Sequence, residues 1–565
     1  MRKVLPRLAI PVLVATLLSA CGIGSGPVIS DQVAEKAAAG PVSSGGGPPM
    51  RRAVRISDPV DLVLAFLRAS AGEDLKVIRS YIADGDSWTP RPGLKVVRIE
   101  LPLQAPTVTV EGFTVNLSVQ HIGILDDAGR LIPSMEGVKN YEFKVEQNEF
   151  ILRDPPKDLL ISESGLSDFY AARPIHFWSG STLVEDQRYV SKALSLEAQS
   201  NLLVRWLYNI GPASWLTNSV AKLPPETQPG VTKVVRGEDN KLVIDLQAKV
   251  PDPEFRRLAE QLAKTLVVPP LSGLQIKVQG QVEIDNEQPR DDRVVGSPRR
   301  YAVVDGRVRR LTGSDTGTDL LPAEENKNLV AAAFAKDERA VAVVQQEGSS
   351  QRLKIGGRSA LRTVEMPPMK SIAQPIWLDG GTQLLVLADH GVYQVGIDGK
   401  AELKLSQSGL TALSVAADGR GLALVVDGAL QLASRGSDGS IILGIPYRIP
   451  TMFKSIQSAA FAGRGELIRS QLIVAGTGMD GRLSLMRMNI DGTDQRQLAN
   501  PWQQGLTIGH LVADPYTGNA MFELQGEAYE VRQNGSVRLA EEMTLPTPGP
   551  NGKSKVSAPS FEGWL

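Results

Sequence analysis

One thiol stands in 565 residues, and its neighbours define the chemistry open to it. Cys21 closes the run Leu18-Ser19-Ala20-Cys21, behind a basic start (Arg2, Lys3, Arg7) and an apolar stretch over residues 9–18. That stretch is too short to cross a bilayer core of roughly 30 Å. Small residues ending at a thiol form the layout of a bacterial lipoprotein signal. The thiol is acylated, residues 1–20 are removed, and Cys21 becomes the first residue of the mature chain. The expectation is a lipid anchor at Cys21, on the extracytoplasmic face of the cell membrane. Two or three acyl chains, at about 0.8 kcal/mol per buried CH₂, make such an anchor stable. The competing reading is an ordinary secretory signal with a chance cysteine.

The other chemistry-bearing residues form no familiar frame. His121, His176, His390 and His510 are far apart, and no HExxH spacing exists. With one cysteine there is no internal disulfide and no Cys-based zinc site. Gly476-Thr477-Gly478-Met479-Asp480-Gly481 matches GxGxxG, but a dinucleotide loop must open a helix, and Leu483-Ser484-Leu485-Met486 reads as strand. These glycines are expected in a strand turn. Asp84-Gly85-Asp86 lacks the EF-hand ligand series and reads as a polar turn. No GxSxG elbow and no phosphate-binding GxxxxGK[ST] loop occur. The residues therefore nominate no catalytic, metal-binding or cofactor-binding side chain, and the chain is expected to be no enzyme. Basic and acidic residues nearly cancel, 61 against 62, so no general attraction to nucleic acid is expected.

Around these residues the chain divides into parts. Residues 21–52 are rich in Gly, Ser, Ala and Pro and read as a flexible tether. The first folded part spans 53–155. Asp58-Pro59 is a good helix start, with Val60, Val63, Leu64 and Leu67 at helical spacing, and Leu75, Ile78 and Ile82 make a second helical piece. Strand patterns follow over 95–99, 107–110, 113–119, 141–145 and 150–152, an α+β plan. The second part spans 156–290. Its helices carry Leu203, Trp206, Leu207 and Ile210, ended by Gly211-Pro212, and Phe255, Leu258, Ala259, Leu262 and Leu266. Its strands are expected at 241–246 and 274–278, the latter turning at Gln279-Gly280.

From 298 to 545 helical patterns give way to β-branched runs between Asp-Gly and Gly-rich turns. Phe334-Ala335-Lys336-Asp337, Trp377-Leu378-Asp379-Gly380, Val415-Ala416-Ala417-Asp418, Phe461-Ala462-Gly463 and Val512-Ala513-Asp514 each precede an apolar run, with a period near 40. That period is the mark of a β-propeller with four strands per blade. Five units are visible, and Tyr301 to Leu311 offer part of a sixth. A β-sandwich with coincidental turns is the alternative. Residues 546–565 are expected to be an irregular tail.

This order of parts resembles the actinobacterial LpqB lipoprotein family. Its most similar segments are Leu183-Val184-Glu185-Asp186-Gln187-Arg188-Tyr189-Val190, the helix end Leu207 to Leu216 around Gly211-Pro212, the helix Gln261 to Leu266, and Phe66-Leu67-Arg68-Ala69 with Trp88-Thr89-Pro90. Phe150 stands where the family pattern has Trp, and Asp158 stands before Leu159 where Gly-Leu is usual. The resemblance implies a multidomain α+β plus all-β fold: a small NTF2-like domain, a GerMN α/β domain and a propeller of five or six blades. It also implies a partner, the extracytoplasmic domain of a sensor histidine kinase in an MtrA–MtrB type system, and a role in cell-wall homeostasis and division. It carries no catalytic residue. A different class of function, a wall-polymer binder or hydrolase using the propeller, predicts a funnel lined by acids and aromatics.

Overall fold

The computed structural model describes residues 56–563 except 73, 135, 224–232, 249, 290–297, 312–318, 374, 464–470, 500, 515 and 540–555, and the side chains of 443–446 and 539. Cys21, the signal and the tether lie outside the described residues.

The first helix, α1 (Pro59–Ala71), starts as its sequence predicts. The Asp58 carboxylate accepts from the Val60 and Asp61 N–H groups at 2.7 and 3.1 Å, and proline fills the first helical position. The short α2 (Leu75–Arg79) follows. Leu62, Val63, Phe66 and Leu67 of α1 are buried against a curved sheet. There Phe66 meets Trp88 and Phe143 edge-on, with ring centroids 6.1 Å apart in each pair. The strand order is Ile151–Arg153, Val138–Glu146, Gly112–Leu125, Leu94–Ile99, Leu159–Ser162. The last strand pairs in parallel with Leu94–Ile99. The expected boundary at 155 therefore falls one strand early, because Leu160 and Ile161 bury their side chains in this sheet's core.

A helix not foreseen, α3 (Glu163–Phe169), leads into the second part. Two hairpins pair Ile175–Ser179 with Thr182–Asp186, and Tyr170–Ala172 with Tyr189–Ser191. The helices α4 (Leu196–Asn209) and α5 (Glu254–Leu266) follow. A four-stranded sheet joins Val235–Arg236, Lys241–Leu246, Gly273–Val278 and Gln281–Glu287. Its two central strands are parallel, with α5 as the crossover between them. Leu203, Trp206 and Leu207 of α4 are buried as the spacing predicts, but Ile210 is 45% exposed, because the helix has ended and Gly211 turns the chain at φ +72°.

The third part is a β-propeller. Five antiparallel sheets of four strands follow in chain order, and their first strands are Leu329–Phe334, Ile376–Leu378, Leu410–Val415, Phe453–Ala462 and Ile508–Ala513. A sixth, closing blade has Arg300–Val304 at its centre, flanked by Arg307–Arg310 and Val556–Phe561. The expected irregular tail is thus corrected: residues 556–561 form a strand. Its inward place gives the ring its last inner strand, touching the first strands of both neighbouring blades. Val556 and Ala558 are buried there. Six such sheets exist among the described residues.

Candidate functional site: the junction of the three parts

Two of the segments that carry the family resemblance converge on one buried seam. Arg188 is wholly buried. Its Nη1–H donates to the Ala128 carbonyl of the first part at 3.0 Å. Its Nη2–H groups donate to Asp186 Oδ2 at 2.6 Å and to the Gly211 carbonyl at 2.7 Å. Asp186 Oδ2 also accepts from the Ala213 N–H at 2.8 Å. Burial pushes the Asp186 carboxyl up, against the opposing pull of Arg188 and the Ala213 N–H. Beside this pair the Tyr189 N–H donates to the Gly129 carbonyl at 2.7 Å. Gly129 is at φ +67°, and a Cβ there would lie 2.6 Å from the Trp206 ring. Only glycine fits this approach.

The same segment reaches the propeller. Tyr189 Oη–H donates to Asp491 Oδ2 at 2.5 Å, while Asp491 Oδ1 accepts from Thr493 N and Oγ1 at 3.0 and 2.7 Å. Ser434 Oγ–H donates to the Trp215 carbonyl at 2.6 Å. The first part makes its own bonds across the seam. Tyr447 Oη–H donates to the Leu131 carbonyl at 2.9 Å, and Gln120 Nε2–H to Thr451 O at 2.9 Å. Arg98 holds Glu163 through Nε and Nη2, at 2.7 and 2.9 Å, and Nη2 also reaches Gly492 O at 3.1 Å. Glu163 in turn accepts from Asp494 N at 3.0 Å. One apolar core runs through the contact, from Leu203, Trp206 and Leu262 to Leu432, Phe453 and Met488. Chemically the seam is a set of donors matched to acceptors in low dielectric, which fixes an orientation.

A second polar cluster sits within the first part. His121, expected to be a surface or packing residue, is 1% exposed and lies in a relay. Tyr141 Oη–H donates to Asp158 Oδ2 at 3.1 Å, so His121 Nε2, 3.1 Å away, carries the proton it donates to Tyr141. Lys95 and Arg91 hold Asp158 at 3.3 and 3.2 Å. Burial pushes His121 below its ordinary value, outweighing the opposing pull of Glu136. Burial raises the Asp158 carboxyl, but the hydrogen bond and charge of Lys95, with Tyr141 and Arg91, bring it below the usual carboxylate range. Burial and Asp158 push the Tyr141 hydroxyl up. Asp158 is the residue that replaces the family pattern's glycine. Phe150, the other departure, has φ 48° and lies over Phe113, with centroids 6.0 Å apart.

The remaining sequence candidates fall in structural roles. The GxGxxG glycines lie at the hairpin between Gln471–Gly478 and Leu483–Asn489, with Gly481 at φ +79°. Asp84 accepts from Ser87 Oγ at 2.6 Å in a turn. His176 packs in the second part, where its backbone N–H donates to Thr265 Oγ1 at 3.1 Å. His390 bonds the Leu410 carbonyl at 2.8 Å through Nδ1. His510 lies 3.8 Å from Glu523. Among the described residues no group of three His, Cys, Asp or Glu is placed to hold a metal ion, and no helix is long and apolar enough to cross a membrane. Sequence reasoning did not single out the seam residues Arg98, Gln120, Glu163, Tyr447 and Asp491. The signal for Arg188 was its place beside Asp186 in an otherwise apolar run.

No family model matches the chain, and no curated protein matches it. Among solved structures it is similar to TolB from Acinetobacter baumannii, at 13% identity over 47% of this chain and 67% of that one, with a TM-score of 0.34. A chain of a nidogen–laminin complex is 11% identical over 47% of this chain and 99% of that one, with a TM-score of 0.33. The propeller domain of Cps50 (Swd1) from Myceliophteria thermophila is 15% identical over 44% of this chain and 86% of that one, at 0.28. The propeller assignment rests on the sheet order and on the ring of inner strands, independently of these likenesses.

Proposed function

We propose that this chain is a membrane-anchored extracytoplasmic lipoprotein of the LpqB type, and that it acts without catalysis, as an accessory to a two-component sensor kinase. In this reading the first part is the NTF2-like domain and the second the GerMN domain. Acylated Cys21 holds the protein at the membrane, and the tether of residues 21–52 lets the folded parts meet the kinase's extracytoplasmic domain. The observation that carries the reading is the seam. Arg188, Tyr189 and Tyr447 bond across part boundaries from buried positions, so the three parts present one fixed surface. A partner binding a preset surface does not have to order it. Tethering raises the local concentration of two proteins on one membrane, so modest affinity is enough.

The test is a binding titration of the chain from residue 22 onward against the purified kinase sensor domain, beside an activity screen on peptidoglycan and arabinogalactan. Saturable binding without turnover is expected. Turnover of a wall polymer without binding would overturn the reading in favour of a hydrolase.

A further inference from the structure

The inner strands of all six blades line one central cavity of about 130 Å³. That is close to the volume, ~150 Å³, of an apolar cavity that takes up benzene. Its wall is mostly apolar: Phe334, Trp377, Leu413, Phe461, Leu511 and Phe561. Two observations say what fills it. First, Ser560 lines the cavity, is 3% exposed, and its Oγ has no hydrogen-bond partner among the described residues. A buried hydroxyl in an apolar wall wants a polar partner. Second, the backbone itself is delivered to the cavity. The Gly563 N–H donates to the Phe334 carbonyl at 2.7 Å, and Gly563 is part of the lining. A Cβ on Gly563 would sit 3.2 Å from Phe334 O and 3.4 Å from Trp377 Cβ.

The next residue in the sequence is Trp564, which lies outside the described residues. Its Cα is only about 3.8 Å from that of Gly563. We propose that the Trp564 indole occupies the central cavity and plugs the channel, with its N–H donated to Ser560 Oγ. Indole is donor-only and of the right chemistry for an apolar pocket holding one orphan acceptor. Covalent attachment gives it an effective concentration that a free ligand of similar size does not match. The proposal is independent of the kinase reading. It makes the channel an internal structural site and leaves partner binding to other surfaces.

The test uses the full mature chain and free indole as the probe, followed by calorimetry and ligand-observed NMR. The wild-type chain should take up no indole. Trp564→Ala should gain saturable indole binding and unfold a few degrees lower. Adding Ser560→Ala to Trp564→Ala should weaken indole binding about three- to tenfold, the worth of one neutral hydrogen bond. Equal indole binding by wild type and Trp564→Ala would overturn the proposal and mark the channel as open to small ligands. Failure of Trp564→Ala to bind indole, with an unchanged unfolding temperature, would overturn it as well, because nothing would then have left the cavity.

Discussion

Replacing Arg188 by Met is the sharpest test of the seam. The substitution keeps a long, flexible side chain in the same space and removes the guanidinium. Three acceptors lose their donor: Ala128 O, Gly211 O and Asp186 Oδ2. The carboxylate is the expensive one. Asp186 is 3% exposed, and without Arg188 only the Ala213 N–H remains against its charge. Removing one partner of a buried pair costs about 3–5 kcal/mol. Part of that cost depends on pH, and its sign follows from the burial of Asp186. Burial already pushes the Asp186 carboxyl up, and losing Arg188 pushes it further. A carboxyl whose folded value lies above its unfolded one stabilises the fold at low pH and loses that contribution as pH rises. The deficit of Arg188→Met should therefore be larger at pH 8 than at pH 5. Adding Asp186→Asn should return part of the loss, leaving about 1–3 kcal/mol for the stranded carbonyls. Urea unfolding followed by tryptophan fluorescence reports directly, because Trp206 packs against Gly129 beside this pair. A loss below about 1 kcal/mol for Arg188→Met, or the same deficit at both pH values, would refute the account of the seam as held by this ion pair.

Four further outcomes are expected. Trp377→Ala should cost about 3–5 kcal/mol by denaturant unfolding, because the ring is 3% exposed and its Nε1–H donates to Ala333 O of the neighbouring blade at 3.1 Å. A fragment of residues 298–565 should fold as an all-β unit by circular dichroism, whereas 298–545 should lose the amide protection of the inner strands, since it lacks Val556–Phe561. Between pH 6.5 and about 4 the first part should lose stability as pH falls, because His121 lies below its ordinary 6.5 when folded and the unfolded chain takes up the proton more readily. His121→Gln should flatten that slope in a pH series of thermal unfolding, while the loss below 3.8 that comes from Asp158 stays. Finally, Cys21→Ala should release the protein from membranes after a high-salt wash; persistent sedimentation would place the anchor elsewhere.

The repeat of the propeller was legible because each blade repeats the same local demands: an apolar run, a tight turn, another run. The caps were legible for the same reason. Asp58-Pro59 and the Gln279-Gly280 turn act within a few residues of themselves. What escaped were pairings set by distant chain. Val556–Phe561 has a Pro and two Ser in six residues and reads as tail, yet its partner Arg300–Val304 lies some 250 residues away and supplies the register. Leu159–Ser162 looked like the start of the second part because nothing local says that it pairs back to Leu94–Ile99. The polar seam was hidden more deeply. Arg98, Tyr189, Tyr447 and Asp491 sit in separate repeats and parts, and each alone has the composition of a surface residue. His121 was misjudged on the same ground, since its burial depends on Tyr141 and Asp158 from other strands.

The closing blade also fixes an order of events during biosynthesis. Its central strand, Arg300–Val304, is made before any other strand of the ring, and its inner strand, Val556–Phe561, after all of them. Until residues 556–561 have emerged, the ring has a gap. The flank of Arg300–Val304 is then an unpaired strand edge, the kind of surface that recruits other chains. In an exported protein that interval falls during passage across the membrane. The ring therefore shuts only on the far side, and a message truncated by as little as a dozen codons would yield a propeller that never seals.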